Sequence, residues 1–198
     1  TRQSPLHFYL PKTMEQLIAL DQQMLHAINR GLAHPWLDAL LPLTRNMFFW
    51  APLYVFLVAF FGLNFGRKGW WIVLLVLLTF ACTDLLSSSL IKPWIGRLRP
   101  CNDEEVRQWV RLLVPCGSGK SFTSSHAANH FGVGVFVGLV LRPFFRHALT
   151  LFVLWAGTIS LAQVYVGVHY PLDITGGAIL GSLIGWGMWR LYLLKWKL

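Results

Sequence analysis

Three short clusters of polar residues interrupt an apolar chain: Lys92, Arg97 and Arg99; Ser124, Ser125 and His126; and His169 with Asp173. Guanidinium forks bind phosphate oxygens in pairs, and hydroxyls at a helix N-terminus sit beside free backbone N–H groups that point at an anion. A site assembled from these groups is a phosphate site. The two histidines add acid–base or nucleophilic capacity near neutral pH. His169 and Asp173, four residues apart, share one helix face if a helix begins in the turn between them. The carboxylate then fixes the imidazole tautomer and stabilises its positive form.

That chemistry requires the clusters to meet, which depends on the elements that carry them. Of 198 residues, 55% are hydrophobic and 13% charged, against roughly a quarter charged in an ordinary soluble domain. Most of the surface must therefore face lipid. A spanning helix needs roughly 20 apolar residues, and the runs of suitable length are Met47 to Phe65, Trp70 to Ile91, His126 to Leu141, Ala148 to Val168 and Leu172 to Leu194. The first two form a hairpin through a Gly66-Arg67-Lys68-Gly69 turn. Between the second and third lies a polar stretch, Lys92 to Ser125, whose Pro93, Pro100 and Pro115 disfavour helix. From Met14 to Leu32, apolar residues (Leu17, Ile18, Leu20, Met24, Leu25, Ile28) recur at helical spacing among polar ones, the pattern of a helix lying on the membrane surface.

The expected fold is all-α, a polytopic membrane helical bundle of about five transmembrane helices plus an N-terminal amphipathic interfacial helix. It reads as a single domain over 1–198, with 1–46 as the amphipathic segment and 47–198 as the transmembrane catalytic bundle. If the spans alternate, all three polar clusters reach one membrane face. Arg67, Lys68, Arg142, Arg146, Arg190, Lys195 and Lys197 fall on the other, which the positive-inside bias makes cytoplasmic. Six further basic residues, Lys92, Arg97, Arg99, Arg107, Arg111 and Lys120, lie in the polar stretch and read as substrate-binding charge. A net charge of +9 without a basic stripe on a soluble module argues against nucleic acid. Several of the ten tryptophans (Trp50, Trp70, Trp71, Trp189, Trp196) stand at the ends of apolar runs, as interface anchors do. No positively charged region leads directly into an apolar core at the start of the chain, so no cleavable leader is expected.

The spacing within the clusters resembles the three motifs of the type 2 phosphatidic acid phosphatase superfamily. Lys92, six residues, then Arg99-Pro100 matches the first motif in full. Thr123-Ser124-Ser125-His126 is similar to the second, Pro-Ser-Gly-His, with Thr123 for the proline and Ser125 for the glycine. Gly167 to Asp173 carries the His and Asp of the third, but Ala162 and Gln163 stand where the family has Ser-Arg. The resemblance implies that His169 is the nucleophile taking the phosphoryl group, Asp173 its orienting partner and His126 the general acid. It further implies that Lys92, Arg99, Ser124 and Ser125 hold phosphoryl oxygens, with no metal and no other cofactor. Arg97 is the candidate to make good the charge missing at Gln163.

By the same resemblance the protein is a bacterial inner-membrane lipid phosphatase with its site at the periplasmic or external face, acting on a lipid phosphate or diphosphate. Undecaprenyl diphosphate is the leading substrate; phosphatidylglycerophosphate, phosphatidic acid and lipid A are alternatives, as are a lipid phosphotransferase and an inactive lipid-phosphate binder. His130, one turn beyond His126, lacks a metal-ligand pattern and reads as a supporting or packing residue. His7, His26, His34 and His147 read as interfacial histidines. Asp84, inside a span, must face the bundle or a polar cavity. Cys101 and Cys116 are spaced for a disulfide in an oxidising compartment, while Cys82 sits in a span. Gly177, Gly181 and Gly185, and likewise Gly134 and Gly138, recur at four-residue spacing; this suits helix packing within the bundle, with a homodimer seam as the alternative.

Overall fold

The computed structural model describes residues 11–196; His7 and Lys197 lie outside them. Helix α1 (Lys12–His26) continues as a π-helical turn to Gly31, and α2 (Pro35–Thr44) follows, its N-terminus capped by His34, whose side chain accepts from Trp36 N–H. Then come α3 (Ala51–Asn64), α4 (Gly66–Asp84) with a π-helical extension to Ile91, α5 (Lys92–Ile95), α6 (Ser125–Leu141), α7 (Ala148–Tyr165) and α8 (Pro171–Lys195). Among the described residues, four helical stretches, opening at Met47, Gly66, Ala148 and Pro171, are long and apolar enough to cross a membrane. Helix α6 is a shorter apolar helix of 17 residues.

Two boundaries differ from expectation. The reversal after α3 is made at Phe65 and Gly66, so Arg67, Lys68 and Gly69 already belong to α4. Gly66 has φ +52, a left-handed conformation that lets the chain turn there without a longer loop. The N-terminal helical stretch ends at Gly31 rather than Leu32, its last turn widened into a π-helix from Ala27.

The α6–α8 seam organises the bundle. A methyl group on Gly181 would lie 2.1 Å from the Ala128 carbonyl oxygen, and one on Gly185 2.2 Å from that of Gly132. No side chain fits there, so the glycine repeat serves contact between helices of one chain. Phe61, Ile72, Leu75, Phe136, Val137, Val140 and Tyr192 fill the core toward the far end.

The N-terminal segment docks on the bundle instead of standing apart from it. Leu25 is buried against Val106, Val164 and Tyr170, and Leu41 against Ala162 and Tyr165. Met14, Leu17, Leu20 and Met24 remain exposed along α1. Asn29, fully buried, ties three segments together: its amide donates to the carbonyls of Tyr165 (2.6 Å) and Arg111 (2.8 Å), and its oxygen accepts from Arg111 N–H (2.7 Å). Buried polar groups demand such partners.

Candidate active site

The polar clusters converge where the N-termini of α6 and α8 meet the turn after α7. Gly167, at φ +84, reverses the chain there, and the N–H groups of Val168 and His169 both donate to the Gln163 carbonyl (3.2 and 3.3 Å). His169 is thereby set with its ring 2% exposed. Ser124 N–H donates to the Asp173 carbonyl at 2.9 Å, which brings the α6 N-terminus beside the first turn of α8.

Around His169 the hydrogen bonds fix the tautomer. Arg99 Nη1 lies 3.1 Å from Nε2, and a guanidinium can only donate, so Nε2 carries the lone pair. Nδ1 then carries the proton and faces Asp173 Oδ2 at 3.3 Å. Burial pulls the imidazole pKa from 6.5 to about 4, against the opposing pull of Asp173. At neutral pH His169 is an uncharged base with its Nε2 lone pair directed at Arg99.

Asp173 is held on every side. Oδ2 also accepts from Ser121 Oγ and from Tyr170 N–H (2.8 Å), while Oδ1 accepts from Arg97 (2.9 Å). Arg97 reaches past it to Asp21 of α1 at 2.5 Å and stacks over the Tyr170 ring. Asp21 in turn accepts from Leu172 N–H at 2.8 Å. Burial raises the Asp21 pKa, with Arg97 pulling it back.

These contacts correct part of the expected cation set. Arg97, expected to replace the charge missing at Gln163, is committed to two buried carboxylates. Arg111 pairs with Asp38 (2.6 Å), and Arg107 and Lys120 are exposed, so the basic stretch does not act as one substrate-binding patch. Lys92 and Arg99 differ: among the described residues neither pairs with a carboxylate. Lys92 Nζ donates to Ser125 Oγ (2.8 Å), which also contacts the hydroxyls of Ser87 (3.0 Å) and Ser88 (2.9 Å). Arg99 donates from Nε to Gly119 O (3.1 Å) and from Nη1 to Val168 O (3.2 Å). Ser124 is fully buried, and its hydroxyl accepts from Ala127 N–H (3.4 Å) as the N-cap of α6.

His126, on the first turn of α6, stands within electrostatic reach of His169, Lys92 and Arg45. His130 lies deeper: its Nδ1 faces the His126 carbonyl (2.7 Å), its Nε2 the Tyr54 hydroxyl (3.2 Å), and its ring meets Trp155 edge-on. Asp84 faces inward, accepting from Asn129 (3.3 Å) and Ser88 (3.4 Å). Cys101 and Cys116 form a disulfide that closes the loop following Arg99-Pro100, alongside a 3.1 Å bond from the Asn102 amide to Gly117 O. Sequence reasoning missed Ser121, Asp21 and Arg45. The first carries no charge, and the other two lie far along the chain in what read as a surface helix and its tail.

An open cleft of about 640 Å3 lies on the bundle between α6, α7 and α8. Phe131, Leu161, Ile174, Ile179 and Leu183 line it, with Ile174 next to Asp173. Cations free of salt bridges around a neutral histidine, at one end of an apolar helical bundle, suit a membrane protein to phosphoryl chemistry.

The family is shown directly by comparison. Residues 68–197 match the model of the PAP2 superfamily, and the chain belongs to it. It is a multi-pass membrane phosphatase of bacterial type. It is 34% identical to a lipid A 4′-phosphatase of Bacteroides thetaiotaomicron over 93% of this chain and 81% of that protein. It is 32% identical to phosphatidylglycerophosphatase B of Bacillus subtilis over 77% of this chain and 74% of that protein. Among solved structures, a transmembrane PAP2-type phosphatidylglycerolphosphate phosphatase from Bacillus subtilis superposes with a TM-score of 0.73 at 27% identity, covering 92% of this chain and 88% of that one.

Proposed function

We propose that the protein hydrolyses a phosphomonoester of a membrane lipid through a phosphohistidine on His169, with the phosphate of lipid A as the first candidate substrate. The observation that carries the reaction is the Arg99–His169–Asp173 chain, which leaves Nε2 unprotonated and Nδ1–H on a carboxylate. Nε2 attacks phosphorus in line, and the P–O bond to the lipid breaks. His126 gives its proton to the departing lipid oxygen. Water, losing a proton to His126, then attacks the phosphohistidine and releases phosphate and free His169. The Arg99 guanidinium moves its hydrogen bond from Nε2 to phosphoryl oxygens, joined by Lys92 and by the free N–H groups of the α6 N-terminus. Neither step calls for a metal.

The substrate choice rests on identity and coverage taken together, 34% over 93% of the chain for the lipid A 4′-phosphatase against 27% over 92% for the phosphatidylglycerolphosphate phosphatase structure. A match over 93% of the chain takes in the N-terminal segment that supplies Asp21, whereas the match to an undecaprenyl-diphosphatase of Sulfolobus acidocaldarius, at 30% identity, covers 61% of this chain. The apolar cleft between α6, α7 and α8 suits acyl chains and the prenyl chain of undecaprenyl diphosphate alike. The basic residues at the opposite end, Arg67, Lys68, Arg142, Arg146, Arg190 and Lys195, support an orientation with the site on the external face of the inner membrane. The test is phosphate release by purified protein in detergent with chelator present, across lipid A, phosphatidylglycerophosphate, phosphatidic acid and undecaprenyl diphosphate. Lipid A should turn over fastest and His169→Ala should abolish release; preference for undecaprenyl diphosphate would overturn the substrate assignment.

A further inference from the structure

Arg45 belongs to none of the three polar clusters, yet its side chain enters their site. It closes α2, where Leu41 packs on Ala162 and Tyr165, the Thr44 hydroxyl donates to Leu41 O (2.9 Å), and Trp50 Nε1 donates to Thr44 O (2.6 Å). The backbone at position 45 is therefore fixed against α7. Arg45 Nε donates to Gln163 Oε1 at 3.3 Å. Because a guanidinium only donates, the amide oxygen must face it. That leaves Gln163 Nε2, fully buried, without a partner among the described residues.

The half-buried Arg45 lies within electrostatic reach of both Arg99 and His126, and among the described residues no carboxylate pairs with it. Lys92 and Arg99 likewise make no salt bridge, although Asp173 acts on both across a distance and Asp84 on Lys92. Gathering three partly buried cations with no directly paired carboxylate is unfavourable, since Asp173 already serves His169 and Arg97, and a doubly charged phosphoryl group relieves it. Such a group would also satisfy the idle Gln163 amide. We propose that Arg45 is a phosphate-binding residue, held by Gln163 and donating to the phosphoryl group between Arg99 and His126. The inference rests on the phosphatase reading above. It assigns to the N-terminal segment the guanidinium that position 163 does not supply, so the catalytic unit begins before residue 47.

The test is orthovanadate binding, followed as thermal stabilisation of the full-length protein in detergent, for wild type, Arg45→Ala, Arg45→Lys and the double variant Arg45→Ala with Gln163→Arg. Arg45→Ala should weaken vanadate about 10- to 100-fold, the range expected for one charge-assisted hydrogen bond. Recovery by Arg45→Lys or by Gln163→Arg carries the inference. Equal vanadate affinity in wild type and Arg45→Ala overturns it, as does a loss that neither variant restores, which marks a structural defect. Lipid turnover in the same panel separates the two readings: wild type that binds vanadate but hydrolyses no lipid refutes the phosphatase while the binding series still decides Arg45. Wild type that binds no vanadate refutes both.

Discussion

Arg99 Nη1 stands 3.1 Å from His169 Nε2, on the side of the ring away from Asp173. A donor at Nε2 and a carboxylate at Nδ1 select one tautomer, the one with its lone pair free for phosphorus. Asp173→Asn offers Nδ1 an amide N–H in place of a carboxylate and so favours the opposite tautomer. The kcat should fall by about 10²- to 10⁴-fold with the helical circular dichroism unchanged. A variant within threefold of wild type would contradict the role of Asp173.

Acid should destabilise the protein through the same histidine. The His169 pKa is lowered from 6.5 to about 4 in the folded state, so below pH 6.5 the unfolded chain binds the proton first. Its contribution is fully present above pH 6.5 and is lost as the pH falls toward 4. The midpoint of thermal unfolding in detergent should drop across that window, and His169→Gln should flatten the slope. An unchanged slope in the variant would show that another group carries it.

Arg97 offers a separation between structure and binding. It bridges Asp21 and Asp173, both fully buried in their side chains. Removing one partner of a buried ion pair leaves an uncompensated charge and costs about 3 kcal/mol or more. Arg97→Gln should therefore lower the melting temperature markedly, and adding Asp21→Asn should recover part of the loss. A variant of wild-type stability with a raised KM alone would instead return Arg97 to phosphate binding.

The Cys101–Cys116 bridge closes the loop that follows Arg99-Pro100. Alkylation of the unfolded protein should add mass to Cys101 and Cys116 only after reduction. Replacing both by serine should cost about 3 kcal/mol in the chain-entropy model, lowering the melting temperature. Two alkylatable thiols without reductant would remove the bridge from the account.

The helical membrane class was legible in the sequence because apolar runs of spanning length leave few alternatives, and the three motifs announce themselves through spacing. The site partners Asp21, Arg45 and Ser121 were not. Asp21 read as one polar residue on an amphipathic helix, and only the docking of α1 on α8 turns it into the second carboxylate of Arg97. Arg45 precedes the first span, where a basic residue ordinarily anchors to headgroups, and nothing local signals that α2 packs against α7. Arg97 illustrates the converse: its place beside Arg99 suggested a shared role, but the turn at Gly96, with φ +67, precedes two side chains with different partners, one meeting carboxylates and the other His169.

The central claim is that His169 Nε2 takes the phosphoryl group. The most direct measurement is rapid acid-free quenching of the enzyme with a phosphorus-labelled lipid phosphate, followed by peptide mapping of the labelled protein. The account predicts an acid-labile, base-stable label on His169 that is absent from His169→Ala and accumulates in His126→Ala when the leaving group needs no proton. Turnover with no label on His169 under any quench, or label on another residue, would contradict it.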